Sequence, residues 1–302
     1  MSEFKLQKPF LKWVGGKTQI INAIIAKVPN VIDNYHEIFL GGGSVLLALL
    51  SLQRQNKIVI NKKIYAYDIN GQLINVYKQI QQHKDELYSK ISVYMSQYDS
   101  IKGSIVNRNP TTLQEALTSQ ESYYYWLRKQ YNNIDNIHSI DCAALFMVIN
   151  KTCFRGMYRE GPNGYNVPFG HYKKTPTVIT KEAMNVISDL IKDVDFVQSD
   201  FNKSLLHITP GDFVYLDPPY APETSTSFVG YNKDGFGLES HNKLFTTINE
   251  LKDKKIKFVM SNAKVELVEN SFKDCSMDDI VARRAINPKN PGSTTTEVIV
   301  YN

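Results

Sequence analysis

The sequence predicts the α/β class: an open, doubly wound sheet of mainly parallel strands, interrupted along the chain by a mainly helical insertion. Three observations carry this prediction. Between Tyr35 and Asp68 a strand, a glycine turn, a helix and a second strand with an acidic end follow one another, which is the order of a βαβ unit. From about Asp85 to Pro176 parallel-strand signals disappear, and aromatic clusters such as YYYWLRKQY replace them. From Val194 the alternation of apolar strands and helices resumes.

Taken in order, Gly15-Gly16 open a segment in which Ile20, Ile21, Ile24, Ile25 and Val28 recur at helical spacing until Pro29 closes it. Tyr35 to Leu40 reads as a strand and Gly41-Gly42-Gly43 as a tight turn. Ser44 to Leu52 then forms an apolar helix with Ser44 as its capping residue. Lys63 to Tyr67 is the next strand, ending in Asp68, and a helix runs from Gln72 after Asn70-Gly71. The expected division is therefore 1–84 as the first part of a core, 85–176 as an insertion and 177–302 as the second part of the core. That second part holds VDFVQSD, DFVYLDPPY, a helix around His241 to Lys254 and the strand IKFVMSN. The closing EVIVYN alternates as a sheet edge or hairpin would.

The strand Asp212 to Leu216 stops in Asp217-Pro218-Pro219-Tyr220. Proline lacks an N–H and fixes φ, so Pro218 and Pro219 present carbonyls and deny their nitrogens to any ladder. Asp217 is thereby held at a rigid strand end. An isolated D-P-P-Y is also compatible with an ordinary turn and a solvated aspartate. Its setting is more informative: Glu37, Asp68, Asp200 and Asp217 all fall near strand ends, and open α/β sheets bind ligands beyond the carboxyl ends of their strands.

Composition narrows the classes. Apolar residues make up 42% and charged residues 22%, as in a globular domain. MSEFKLQKPF lacks the apolar stretch of a signal peptide, and no apolar run approaches a membrane span, so an intracellular protein without a membrane partner is expected. Cys142, Cys153 and Cys275 are widely separated and lack the spacing of a zinc site or redox pair. The net charge is +5, but between Ile149 and Pro176 the basic residues Lys151, Arg155, Arg159, Lys173 and Lys174 face only Glu160. That segment suits a phosphate backbone; a solvated charged loop is the alternative.

The turn FLGGGS lets a backbone approach a nucleotide-like ligand ahead of a helix N-terminus. A dinucleotide fingerprint would need glycine where Leu46 stands, and a P-loop ending in Gly16-Lys17-Thr18 would need glycine where Leu11 stands. Carboxylates at Glu37 and Asp68 would repel a triphosphate and suit hydroxyls or a cationic amino-acid group. A ligand with a ribose, an adenine and a zwitterion fits, and S-adenosylmethionine has all three.

The blocks FLKWVGGK, EIFLGGGSV, YAYDIN, INKTCFRGMYR with YNVPFGHYKKTP, VYLDPPY and FVMSN, in that order, resemble the Dam-type DNA adenine-N6 methyltransferases over nearly the whole chain. The resemblance implies a Rossmann-like S-adenosylmethionine-dependent methyltransferase sheet with an inserted, mainly helical target-recognition domain. It implies that Trp13, Lys17, Glu37, Phe39, Gly41, Gly43, Asp68, Asp200, Phe201 and Asp217 border the cofactor. Asp68 would receive the ribose hydroxyls. Trp13 is also compatible with a core anchor, and Asp200 with a cap of the following helix. It implies that Asp217 and the Pro218 carbonyl accept hydrogen bonds from a flipped-out adenine amine, that Tyr220 stacks on the base, and that no metal takes part. Phe154, Arg155, Arg159, Pro168, Lys173 and Lys174 would meet double-stranded DNA, with Arg159 reading a base. A cognate restriction endonuclease is a further possible partner. The family's usual Glu-Pro-Phe is Glu37-Ile38-Phe39 here, which implies modestly less backbone rigidity. Methyl transfer to RNA adenine or to a protein amide, and a DNA-binding relative with a dead cofactor pocket, are the alternatives.

Overall fold

In the computed structural model, residues 6–221, 236–283 and 294–302 are described, so Met1 to Lys5 of the leader reading lie outside them. The backbone packs into two compact units. The first comprises Met1–Lys8, Gly16–Ile69 and Asp193–Asn302, and the second Pro9–Gly15 and Asn70–Lys192.

Among the described residues the main sheet of the first unit has seven strands: β1 (Tyr35–Glu37), β2 (Ile64–Asp68), β3 (Val194–Gln198), β4 (Phe213–Leu216), β5 (Lys257–Ala263), β6 (Ser276–Arg283) and β7 (Thr294–Tyr301). Their order is β6-β7-β5-β4-β1-β2-β3. The β4–β1, β1–β2, β2–β3 and β4–β5 pairs are parallel, while β7 runs antiparallel to both β5 and β6. The final strand forms the expected hairpin but lies inside the sheet, where Val298, Ile299 and Val300 are all buried.

All four residues of β4 are buried, as expected of a strand covered on both faces. Alternation sends Val214 and Leu216 to one face. There they share a core with Phe258 and Met260 of β5 and with Leu244, Phe245, Ile248 and Leu251 of the helix Leu238–Asp253. The helix Ser44–Arg54 follows β1 and is buried from Ser44 through Leu52. Ser44 does not cap it. The N-cap is Gly43 at φ 67 with no side-chain cap bond, because the three-glycine turn enters the helix through a left-handed residue that glycine adopts without strain.

The parallel strands start from a polar knot. Asp212, 2% exposed, accepts hydrogen bonds from the N–H and side-chain amide of Asn34 at 3.2 and 2.7 Å and from the N–H and hydroxyl of Thr209 at 2.9 and 3.1 Å. His36 lies 3.4 Å away, and burial holds its imidazole below the usual range against the pull of Asp212.

The second unit is helical. Gly71–Ser100, Gln120–Asn132, Ile140–Thr152 and Lys181–Leu190 are its long helices, capped by Asn70, Ser119, Ser139 and Thr180 respectively. It extends beyond 85–176 because Gly71–Ser100 is one long helix, interrupted only by non-helical backbone at His83. Pro9–Gly15 joins this unit through a side-chain clamp: Asn150 accepts from the Lys12 N–H at 3.0 Å and donates to the Lys12 carbonyl at 2.8 Å. Phe10 also packs edge-on against Tyr77.

Asp212→Ala removes a buried acceptor shared by half-buried Asn34 and exposed Thr209, and water can reach the Thr209 donors. Chemical denaturation should show a loss of about 1–3 kcal/mol, and Asp212→Asn a smaller one.

Candidate active site

Strand β4 ends at Leu216, and the chain beyond it, Asp217 to Ala221, runs between side chains from four other segments. The Lys17 ammonium lies 2.7 Å from Asp217 Oδ2 and 5.0 Å from the centre of the Tyr220 ring. The Tyr220 hydroxyl donates to Glu297 Oε2 on β7 at 2.7 Å. The Ala221 N–H donates to Asn262 Oδ1 on β5 at 3.0 Å. His241 places Nε2 3.0 Å from the Pro219 carbonyl oxygen.

Electrostatics separate the two acids beside this turn. Glu37 lies opposite Tyr215 on the neighbouring strand and accepts the Tyr35 hydroxyl at 2.6 Å. Burial pushes its carboxyl up to about 8; Tyr35 lowers it in part, and the Asp217 charge raises it further. Asp217 is raised to about 6, first by burial, with Lys17 pulling it down and Glu297 pushing it up. At neutral pH Asp217 is therefore the ionised partner of Lys17 while Glu37 retains its proton, and two carboxyls in one site differ in role.

Further along the strand ends, Asp68 Oδ2 accepts the Gly41 N–H at 2.9 Å, which ties the glycine turn to β2. Phe39, Phe201 and Phe236 form an aromatic group, with Phe39 6.1 Å from each of the other two and those two 5.6 Å apart. Asp200 caps the short helix Phe201–Ser204 by accepting the Asn202 N–H at 2.7 Å. Asn262 Nδ2 is a buried donor without an acceptor among the described residues.

Lys17, Glu37 and the D-P-P-Y residues thus meet in one cluster, and Phe39, Gly41, Asp68 and Phe201 lie at neighbouring strand ends. Gly43 caps the helix that follows the glycine turn. Trp13 belongs to the second unit, stacked with Phe146 at 6.3 Å and Tyr158 at 5.4 Å, as the anchoring alternative expects. His241, Asn262 and Glu297 were not legible. They stand 22, 41 and 77 residues from their partners in the turn, and no spacing rule links them.

The expected DNA-facing residues, Phe154, Arg155, Arg159, Pro168, Lys173 and Lys174, are all exposed on the second unit. The Phe154 N–H donates to the Pro168 carbonyl at 2.8 Å, joining two of them. Arg155 adopts φ 55, an uncommon left-handed conformation for a non-glycine residue. Arg159 stands at a small hairpin formed by Glu160–Gly161 and Gly164–Tyr165, and its Nε donates to Asn166 Oδ1 at 2.6 Å.

If Lys17 lowers the Asp217 carboxyl as this geometry requires, removing it raises the titration. Carbon-detected NMR should place the Asp217 midpoint at about 6 in the unaltered chain and higher in Lys17→Met. An unchanged midpoint would mean that the ion pair is absent in solution.

Residues 13–286 match the family described as D12 class N6 adenine-specific DNA methyltransferase. The chain is 31% identical to the type II methyltransferase M.MjaIII of Methanocaldococcus jannaschii, over 93% of each chain. It is 30% identical to the type II methyltransferase M1.LlaDCHI of Lactococcus lactis subsp. cremoris, over 98% of this chain and 95% of that one. It is 27% identical to a DNA adenine methylase of Serratia marcescens, over 94% and 93%. With a family match along most of its length and a D-P-P-Y turn set at the end of a parallel strand, the chain belongs to the D12 class N6 adenine-specific DNA methyltransferases.

Proposed function

We propose that the first unit performs the family's reaction, N6 methylation of adenine at specific sites in double-stranded DNA, at the Asp217–Tyr220 turn, and that the second unit recognises the target. The observation that carries this reading is a partly buried carboxylate, 2.7 Å from the Lys17 ammonium, fixed at a strand end beside two proline carbonyls.

The adjoining strand ends fit S-adenosylmethionine by the chemistry of their groups. Asp68 offers a carboxylate to hydroxyls, and Phe39, Phe201 and Phe236 offer apolar faces to a purine. When bound, the cofactor supplies a methyl group on a sulfonium, which needs a nucleophile and no metal.

The adenine amine is a poor nucleophile because its lone pair is delocalised into the ring. Asp217 and the Pro218 carbonyl are acceptors at fixed positions. Hydrogen bonds from the amine to both favour a tetrahedral nitrogen whose lone pair is free to attack. Lys17 holds one oxygen of Asp217 and so fixes the plane of the carboxylate. Rigid acceptors of this kind lower a barrier by orientation and by preorganised electrostatics. Tyr220, anchored by Glu297, offers its ring to the base. A base within a duplex has to leave the stack to reach such a turn, and an aromatic pocket offsets the lost stacking.

On the second unit, Arg159 is the candidate base reader. A guanidinium can donate two parallel bonds to guanine O6 and N7; Asn166 accepts from Nε and, at 3.4 Å, from one terminal nitrogen, which orients the guanidinium plane and leaves its outer hydrogens for a base. Arg155, Lys173 and Lys174 serve as phosphate contacts. The likeness to proteins named type II methyltransferases supports a role beside a restriction endonuclease.

With labelled cofactor and DNA free of N6-methyladenine, Asp217→Ala should lose methyl transfer while retaining DNA affinity, and Asp217→Asn should lose less. Near-normal turnover in Asp217→Ala would remove the turn from the chemistry. Arg159→Ala should cost about 1–3 kcal/mol at one base pair and relax discrimination there. A uniform loss across all single-base variants with a shallower salt dependence would make Arg159 a phosphate contact instead.

A further inference from the structure

Pro218 and Pro219 bring no N–H to the turn, so the direction of their carbonyls depends on what reaches them from outside. His241 is the side chain that reaches one. It lies in the first turn of the helix Leu238–Asp253 and is 1% exposed, with its ring edge-on to Phe236 at 4.7 Å and Phe245 at 5.8 Å. One ring nitrogen, Nδ1, lies 2.9 Å from the Gly237 carbonyl at the start of the helix. The other, Nε2, lies 3.0 Å from the Pro219 carbonyl. A carbonyl oxygen only accepts, so a neutral ring can donate to one of the two carbonyls and only a doubly protonated ring to both; the tautomer that serves Pro219 carries its hydrogen on Nε2.

An imidazole buried only for packing has no need to aim at a turn 22 residues earlier. The helix core is already supplied by Leu244, Phe245, Ile248 and Leu251, all apolar. The polar edge of His241 instead meets the Pro219 carbonyl, which leaves the Pro218 carbonyl as the proline acceptor for the substrate amine.

We propose that His241 is a positioning residue for methyl transfer: by donating from Nε2 to the Pro219 carbonyl it fixes the Pro219–Tyr220 peptide, and through the φ-locked ring of Pro219 the direction of the preceding Pro218 carbonyl and of Asp217. The proposal rests on the turn being the reaction site. Without this strut the turn keeps its lateral ties at Asn262 and Glu297 but gains freedom at the acceptor that has to meet the adenine amine. Small misplacements of reacting groups can cost about 100-fold in rate.

The test compares His241→Phe, which keeps a ring against Phe236 and Phe245 but has no donor, with His241→Gln, whose side-chain amide reaches about as far as Nε2 and can donate to the same carbonyl. His241→Met serves as the donor-free variant if the phenylalanine form does not fold. Single-turnover methylation of DNA free of N6-methyladenine is measured on the full chain. Rates are normalised to sites counted by calorimetric titration with S-adenosylmethionine, and melting temperature and DNA affinity are measured alongside. The expected result is a rate about 10- to 100-fold lower in the donor-free variant, with cofactor and DNA affinities nearly unchanged and most of the rate restored by glutamine. A donor-free variant as fast as the unaltered chain overturns the proposal. So does a loss that glutamine does not restore, or one that follows cofactor affinity and melting temperature, because packing alone would produce either. If the unaltered chain itself transfers no methyl group to adenine, the activity reading falls and this proposal falls with it.

Discussion

A parallel strand that ends in two consecutive prolines cannot secure its own end. β4 is locked on both sides by β1 and β5, but beyond Leu216 the chain loses the N–H groups that would continue the ladder. The D-P-P-Y turn is therefore held laterally, by Lys17 at Asp217, His241 at Pro219, Glu297 at Tyr220 and Asn262 at Ala221. These anchors come from the N-terminal segment, a helix and two strands. The order of the sheet, with antiparallel β7 placed between β5 and β6, is what brings Glu297 to the turn.

The same arrangement sets the charges. Burial penalises the ionised forms of Glu37 and Asp217, and Lys17 and Glu297 stand beside them. With Glu37 raised to about 8 and Asp217 to about 6, proton uptake separates the carboxyls. Burial keeps Glu37 neutral, against the Tyr35 hydroxyl, whose donated bond favours the charged form, and Asp217 carries the charge that Lys17 balances. Breaking a buried pair by removing one partner leaves an uncompensated charge, so Lys17 has both a structural and an electrostatic reason for its position.

The second unit solves a different problem. Its interior is aromatic, with Trp13, Phe146, Tyr131, Tyr158 and Tyr165 in successive ring contacts, and it takes Pro9–Gly15 from the start of the chain through the Asn150 clamp. The basic side chains at its surface stand on short, tightly bonded turns. One of these contains Arg155 at φ 55 followed by Gly156 at φ 66, and the next is the hairpin beside Arg159.

The sequence by itself determined the α/β class, the order of the strands along the chain and the D-P-P-Y turn, because apolar periodicity, glycine turns and prolines act over a few residues. It also singled out Glu37, Asp68, Asp200 and Asp217 as charged residues near predicted strand ends, whereas Lys17 came from the family resemblance alone. Local signals misplaced the cap at Ser44, which the left-handed Gly43 makes unnecessary, and allowed the last strand an edge position that the sheet does not give it. The choice between cofactor contact and packing for Trp13, or between contact and capping for Asp200, was open in the sequence, because an aromatic or an aspartate has the same local signature in either setting. Only the tertiary structure decided which groups meet at the turn. Lys17 pairs with Asp217, and His241, Asn262 and Glu297 reach the same few residues from distant segments. Such contacts depend on strand order and register, which are fixed when the whole sheet closes its core and leave no mark in the spacing of residues along the chain.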